Sequence, residues 1–124
     1  MIYTGYYAKL KKYEEEGLYP IAISNKIPDF YTKATWEDFA PPKYGIFSEW
    51  KAGKIDDLEF TSRYKKWLDS LNKQETRDII KELEDEGNKI VFLCYEKTGD
   101  FCHRHILADW LEENLGYVVE EYNA

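Results

Sequence analysis

The sequence has little of what secreted and membrane proteins depend on. Only two cysteines occur among 124 residues, so a secreted disulfide framework is excluded and free thiols in a reducing compartment are expected. No apolar run approaches the roughly 18 residues of a membrane span, and residues 1–7 contain no basic stretch followed by an apolar one. We therefore expect a cytoplasmic protein with no membrane partner.

Positive charge is also in deficit. The chain has 17 Lys and Arg against 24 Asp and Glu, a net charge of −7. Affinity for a phosphate backbone grows with the number of cations presented, so this composition disfavours a nucleic-acid partner. It leaves open an isolated pocket that holds one nucleotide. Any anionic ligand is expected to be small.

Apolar and aromatic residues, in contrast, are plentiful. They make up 44% and 17% of the chain, which excludes a disordered tail and predicts that residues 1–124 form a single domain. The run 89–95 (KIVFLCY) is typical of a central strand covered on both faces. Further strands are predicted at 2–7, 19–24 and 117–122, and helices at 8–16, 44–52, 56–71, 75–86 and 102–115. The alternation predicts a three-layer α/β fold, with a mainly parallel sheet of about four strands flanked by helices.

Two long helices and one loop carry more specific expectations. Asp56 and the glutamate three residues later indicate a cap at the start of a helix. In the helix that follows it, Ile79, Ile80 and Leu83 are expected to point inward. Residues 29–42 contain no clear period and predict an irregular loop with one helical turn at 36–39.

The carboxyl ends of the predicted strands are the expected location of a ligand site, because ligands bind there in parallel sheets. That edge would collect Gly5, Ser24 to Lys26, and Tyr95 to Arg104, the last within the strand-to-helix junction from Cys94 to His105. Asp100 is the predicted N-cap of the helix at 102–115. We expect the site at this junction.

Arg104 is the main candidate for binding an anion at the junction. His103, Arg104 and His105 fall in the first helical turn, where positive charge costs roughly 0.3–1 kcal/mol per residue unless an anion lies among them. Backbone N–H groups and a guanidinium together bind phosphate or carboxylate. The alternative is a salt bridge from Arg104 to one of the many carboxylates. Gly5, Lys26 and His105 complete the candidate ligand-binding set.

Cys102 is the candidate nucleophile. A helix start and neighbouring cations stabilise a thiolate and can lower a cysteine pKa from about 8.5 to about 3.5–7.5. His103 is the candidate acid or base, with His105 as the alternative, and Glu96 is the carboxylate that could orient either ring. The alternative is that Cys102 fills a buried space, and Cys94, inside an apolar strand, is expected in the core.

Metal binding and disulfide formation both remain open for this segment. Cys94, Cys102, His103 and His105 are all permissible zinc ligands, but their spacing fits no standard zinc motif. The sequence therefore assigns no metal and no cofactor. A disulfide between Cys94 and Cys102 would require Cα atoms within about 7 Å.

The same residues carry a family resemblance. The stretches 93–96 (LCYE) and 102–108 (CHRHILA) resemble the LLCxEk…CHRxxLA signature of the domain of unknown function 488 family. Residues 3–5, 39–42, 50–55 and 60–64 are also similar, so the resemblance covers nearly the whole chain. Many members have an Asp-x-Arg pair after the second strand. Here Ser24 to Pro28 leave Lys26 as the cationic substitute, and the family name implies no activity.

Three functions follow as hypotheses. The first is binding of a small anionic ligand, phosphate-bearing or nucleotide-like, at the Cys94–His105 junction, with thiol chemistry at Cys102 as an extension. The second is a non-catalytic protein or nucleic-acid interaction module, in which Cys102, His103 and Arg104 join helix to sheet. The third is a metal-dependent hydrolase.

Overall fold

Strands and helices alternate along the chain. The computed structural model describes residues 1–97 and 99–123, so Thr98 of the predicted junction lies outside the described residues. The strands in this part are β1 (Ile2–Tyr6), β2 (Leu18–Ala22), β3 (Ala34–Thr35), β4 (Lys89–Cys94) and β5 (Val119–Glu121). The α-helices are α1 (Leu10–Glu15), α2 (Ser48–Lys51), α3 (Asp57–Asp69), α4 (Lys73–Asp85) and α5 (His103–Leu115). None of these helices has the length and apolarity needed to cross a membrane.

The described strands form one parallel sheet in the order β3-β2-β4-β1-β5. The central position of β4 confirms the prediction from its continuous apolar run, because Ile90 to Cys94 are all 0% exposed. The predicted count of about four strands is one too low. The additional strand, β3, spans two residues inside the predicted loop, which is too short to show an alternating pattern. The expected helical turn is present at Glu37–Phe39.

Helices cover both faces of the sheet, which confirms the three-layer α/β prediction. Alternate residues of β4 serve opposite faces: Ile90 and Phe92 belong to the core beneath α3, α4 and α5. Val91 and Leu93 belong to a smaller core beneath α1. Successive side chains of a strand point to opposite faces of the sheet, so helices on both sides bury both sets of side chains.

Three local predictions have clear outcomes. The side chain of Asp56 accepts the Glu59 backbone N–H at 2.8 Å, as expected of an N-cap. Ile79 was expected inward but is 37% exposed, whereas Ile80 is fully buried. Neighbouring helical residues point about 100° apart, and in α4 this turn leaves Ile79 at the edge of the buried face.

The start of α5 also differs from the prediction. Cys102, rather than Asp100, is the N-cap, and the helix begins at His103. Cys102 has the extended backbone angles of a residue that precedes a helix, φ −150° and ψ 141°. Asp100 lies in the preceding turn, where its N–H donates to the Lys97 carbonyl. The helix start therefore places Cys102 next to the end of β4.

Candidate functional site

A cavity of about 250 Å³ lies beyond the carboxyl ends of β2 and β4. We call it the strand-end cavity. Its walls come from the segment after β2, from the residues around α2, and from the junction between β4 and α5. The lining residues are Ser24, Asn25, Lys26, Pro41, Phe47, Lys51, Cys94, Tyr95, Glu96 and His103. The cavity thus lies at the sheet edge where the sequence predicted a site.

Hydrogen bonds hold the segment after β2 in place. Ser24 Oγ donates to the Lys26 carbonyl at 2.7 Å. The Tyr7 hydroxyl lies 2.6 Å from Ser24 Oγ. Because Ser24 already donates its one hydroxyl proton to the Lys26 carbonyl, Tyr7 is the donor in this second bond. Burial raises the pKa of Tyr7 to about 12, so this donor keeps its proton at neutral pH. These bonds fix the backbone that carries Lys26.

The charged side chains of the cavity are Lys26, Lys51 and Glu96. Among the described residues, neither lysine has an ion pair or a side-chain hydrogen bond. Lys51 Nζ lies 5.7 Å from the centre of the Phe47 ring. Two cations and one carboxylate give the lining a formal charge of +1, although the whole chain carries −7.

Two cysteines and a histidine lie together at the buried side of the cavity. Cys94 and Cys102 form a disulfide, although their Cα atoms are 7.4 Å apart, slightly beyond the separation of about 7 Å expected for such a bond. They are 0% and 3% exposed, and His103 is 8% exposed. Cys94 and His103 both contribute to the cavity lining. Cys102 and His103, which follow Cys94 by eight and nine residues, therefore lie next to it in the fold.

The ring of His103 has a defined orientation and protonation. Its Nε2 lies within hydrogen-bonding distance of the Ile23 carbonyl. Because a carbonyl only accepts, Nε2 carries the proton and Nδ1 has the lone pair. Nδ1 lies 3.9 Å from Cys102 Sγ. Burial, assisted by the charge of Arg104, lowers the pKa of His103 to about 4 despite the opposing effect of the Ile23 bond, so the ring is neutral at pH 7.

Arg104 is 0% exposed and already has an anionic partner within the chain. Its Nη2 and Nε donate to the two carboxylate oxygens of Glu121 at 2.7 and 3.1 Å. Its Nη1 donates to the Glu96 carbonyl and lies 3.1 Å from Cys94 Sγ. The structure thus contains the salt bridge that the sequence left open as the alternative for Arg104, and the guanidinium joins β4, α5 and β5.

Gly5 and His105 do not line the cavity. A Cβ added at Gly5 would lie 2.6 Å from Tyr13 Cζ, so this glycine makes room for a packed tyrosine ring. His105 is half-buried, and burial followed by the charge of Arg104 lowers its pKa. Lys26, Glu96 and His103 are the sequence candidates that the structure brings to the cavity wall, and Cys102 Sγ lies 3.9 Å from His103 Nδ1.

Lys51 is the cavity residue that reasoning from the predicted strand ends missed. It lies in α2, a helix of four residues, far in sequence from the strands that frame the cavity. The signal that could have pointed to it is its place in the segment 50–55, which resembles the family's middle region. Phe47 was likewise not expected to line the cavity, whereas Asn25 and Tyr95 belong to the two segments that the sequence predicted at this sheet edge.

Comparison with known proteins gives one match. A family model described as the active DUF488-N3 subclade matches residues 8–115, nearly the whole chain. The matched range includes every residue that lines the strand-end cavity. No curated protein and no solved structure matches the chain.

Proposed function

The chain belongs to the DUF488 family, and from that premise we propose that it binds a small anionic ligand, phosphate-bearing or nucleotide-like, in the strand-end cavity. The observation that carries the proposal is the pair of lysines at the cavity, Lys26 and Lys51, neither of which has an ion pair or a side-chain hydrogen bond among the described residues. In a chain with a net charge of −7, two unmatched ammonium groups over one concave site attract an anion.

The cavity volume limits the size of the ligand. Sites for drug-sized ligands measure about 300–1,000 Å³, and the strand-end cavity, at about 250 Å³, is smaller. It holds a phosphate group with a small organic part, and the remainder of a nucleotide would extend toward the exposed side chain of Tyr95. A small phosphate ester is therefore the ligand class that fits best.

Arg104 enters the proposal as a positioning residue. Its guanidinium already pairs with Glu121 and contacts the Glu96 carbonyl, so it holds the backbone that carries Glu96 rather than contacting the ligand. Glu96 is the carboxylate among the described lining residues. We assign it proton transfer, since that is the role its position next to a bound ligand supports.

Thiol chemistry at Cys102 is a separate extension of the proposal. His103 Nδ1, with its lone pair, lies 3.9 Å from Cys102 Sγ and is placed to accept a proton from a Cys102 thiol. The disulfide with Cys94 has to be opened before that thiol exists. Anion binding does not depend on this step.

The second candidate is a non-catalytic protein or nucleic-acid interaction module. The burial of Arg104 and its bonds to the end of β4 and to Glu121 of β5 favour a structural role for the Cys102–Arg104 segment. The two candidates differ in whether the cavity binds a small anion.

The experiment is a calorimetric titration of the protein with inorganic phosphate and with adenosine monophosphate. The double variant Lys26→Gln, Lys51→Gln is compared with Lys11→Gln, Lys66→Gln, which removes the same charge outside the cavity lining. Each exposed charge pair contributes about 0.2–1 kcal/mol, so we expect the cavity variant to bind about 2- to 30-fold more weakly and the control to bind like the wild type.

Equal weakening in both double variants would show that net charge, not the cavity, attracts the anion, and would overturn the assignment of Lys26 and Lys51. A wild-type protein that releases no heat with either probe at millimolar concentration would favour the interaction module.

A further inference from the structure

We propose that Cys94, Cys102 and His103, once the disulfide is reduced, hold one zinc ion at the buried side of the strand-end cavity. This site goes beyond the anion proposal and does not depend on it. Among the described residues, these three form the group whose ligand atoms all lie within 4.8 Å of one another. Two thiolates and an imidazole are the soft and borderline ligands that select zinc over magnesium or calcium.

The distances suit a tetrahedral ion. Zinc lies about 2.3 Å from sulfur and 2.0–2.1 Å from nitrogen, so ligand atoms around it are about 3.5–3.8 Å apart. Cys102 Sγ and His103 Nδ1 are 3.9 Å apart. When the disulfide is open, the two sulfurs need to separate to a similar distance.

The backbone supports that separation. The Cα atoms of Cys94 and Cys102 are 7.4 Å apart, beyond the range of about 4.4–6.8 Å usual for disulfides. The end of β4 and the start of α5 therefore hold the two side chains at a spacing that leaves room for an ion between the thiols.

The orientation of His103 is that of a metal ligand. Its Nε2 proton is donated to the Ile23 carbonyl, and the lone pair of Nδ1 is on the side of Cys102. Metal-binding histidines almost always donate their second nitrogen to a carboxylate, carbonyl or water, which fixes the tautomer and the ring. The Ile23 carbonyl, just beyond β2, fills this role.

Charge around Cys94 favours a thiolate. Arg104 Nη1 lies 3.1 Å from Cys94 Sγ, and Arg104 is neutralised by Glu121 at 2.7 Å. Two thiolates, one Zn²⁺ and the Arg104–Glu121 pair sum to zero charge, whereas two buried thiolates without an ion would repel each other. Cys102 is the N-cap of α5, and the dipole of that helix also stabilises a thiolate at this position.

The site would have an open side. Cys94 and His103 both line the strand-end cavity, so a fourth position of the ion would open into that cavity. Three protein ligands with an open position, in a Cys₂His set, are typical of catalytic rather than structural zinc.

The test is zinc binding by the reduced, metal-free protein. The full chain is treated with a phosphine reductant that does not chelate, stripped with a chelator and titrated with Zn²⁺ in competition with a chromophoric chelator. We expect one equivalent bound, and no binding at this site by the unreduced disulfide form. Replacement with Co²⁺ should give a thiolate-to-cobalt charge-transfer band.

Two variants with opposite expectations identify the ligands. Cys102→Ser should lose at least about 100-fold in zinc affinity, more than the 10–100-fold typical of removing a partner of a ligand. His105→Gln, a histidine of the same helical turn outside the group of three, should keep wild-type affinity. Circular dichroism and thermal unfolding of both variants show that the fold is retained.

Three results would overturn the proposal. One is a reduced protein, with both thiols titratable, that binds less than one tenth of an equivalent of zinc. Another is wild-type zinc affinity in Cys102→Ser. The third is a failure of phosphine to expose the two thiols in the folded chain. None of them bears on phosphate binding, so the two proposals fail separately.

Discussion

Arg104 and Glu121 form a two-point ion pair that joins the first turn of α5 to the last strand. Nη2–Oε2 and Nε–Oε1 distances are 2.7 and 3.1 Å. The Arg104 side chain is 0% exposed and that of Glu121 18%. A pair this deeply placed links the stability of the fold to the geometry of the strand-end cavity, because the same guanidinium contacts the Glu96 carbonyl.

Breaking this pair should destabilise the protein strongly. Arg104→Gln leaves the Glu121 carboxylate without its cation, and removing one partner of a buried pair costs about 3–5 kcal/mol. Urea denaturation measures the loss. The control is Arg63→Gln, which removes a partly exposed arginine paired with Glu49 and Glu59 and should cost less than about 1 kcal/mol per pair. A similar small loss in both variants would contradict the expectation.

Adding a methyl group at Gly5 should cost about 1–3 kcal/mol, because the new Cβ would overlap the Tyr13 ring 2.6 Å away. Tyr13→Leu removes the ring, so Gly5→Ala should cost little in that background. A double-mutant cycle by thermal unfolding tests the coupling. Strictly additive losses would show that Gly5 and Tyr13 do not compete for the same space.

The state of the two cysteines can be measured directly. Because Cys94 and Cys102 are joined in the structure, denatured protein should take up no iodoacetamide without reductant and two equivalents after phosphine treatment, as mass spectrometry will show. After reduction and refolding, the pH dependence of alkylation at Cys102 reports its thiolate. Two alkyl groups on unreduced protein would mean that the thiols are free.

Alkaline pH should destabilise the fold partly through Tyr7. Burial raises the pKa of Tyr7 to about 12, whereas an unfolded tyrosine ionises near 10. Between these values the folded chain retains a proton that the unfolded chain has lost. The free energy of unfolding therefore falls as pH rises, by up to about 1.4 kcal/mol per pH unit for this group.

Tyr7→Phe should make that decline shallower by the same amount, as measured by urea denaturation between about pH 9 and 12. Tyr44→Phe is the matched control, since the Tyr44 side chain is 81% exposed. An unchanged slope in Tyr7→Phe would contradict the assignment, whatever the variant's stability at neutral pH.

Much of the fold was accessible from the sequence because its strongest signals are local. The apolar run of β4 predicts a central strand, and the cap at Asp56 predicts the start of α3. The two residues of β3 carry no such signal, because their strand character comes from pairing with β2. The exposure of Ile79 likewise depends on how α4 lies on the sheet.

A cavity lies at the sheet edge that the sequence favours for a site, but the contacts of its residues with the rest of the chain could not be predicted. The junction after β4 carries Glu96 and His103, both at the cavity wall. The sequence of the junction does not predict that Glu121 neutralises Arg104, because many carboxylates in the chain could pair with this one arginine. Nor does any local pattern bring Lys51 to the end of β4, since that proximity depends on the path of residues 25–51.

The lengths of the strands have a consequence for association between copies of the chain. The two edge strands of the described sheet, β3 and β5, have two and three residues, whereas the inner strands have five or six. Unpaired backbone N–H and C=O groups at a sheet edge are a template for addition of a foreign strand. Edges this short offer few such groups, so the sheet is poorly suited to edge-to-edge growth, and its aromatic-rich core is protected from aggregation by that route.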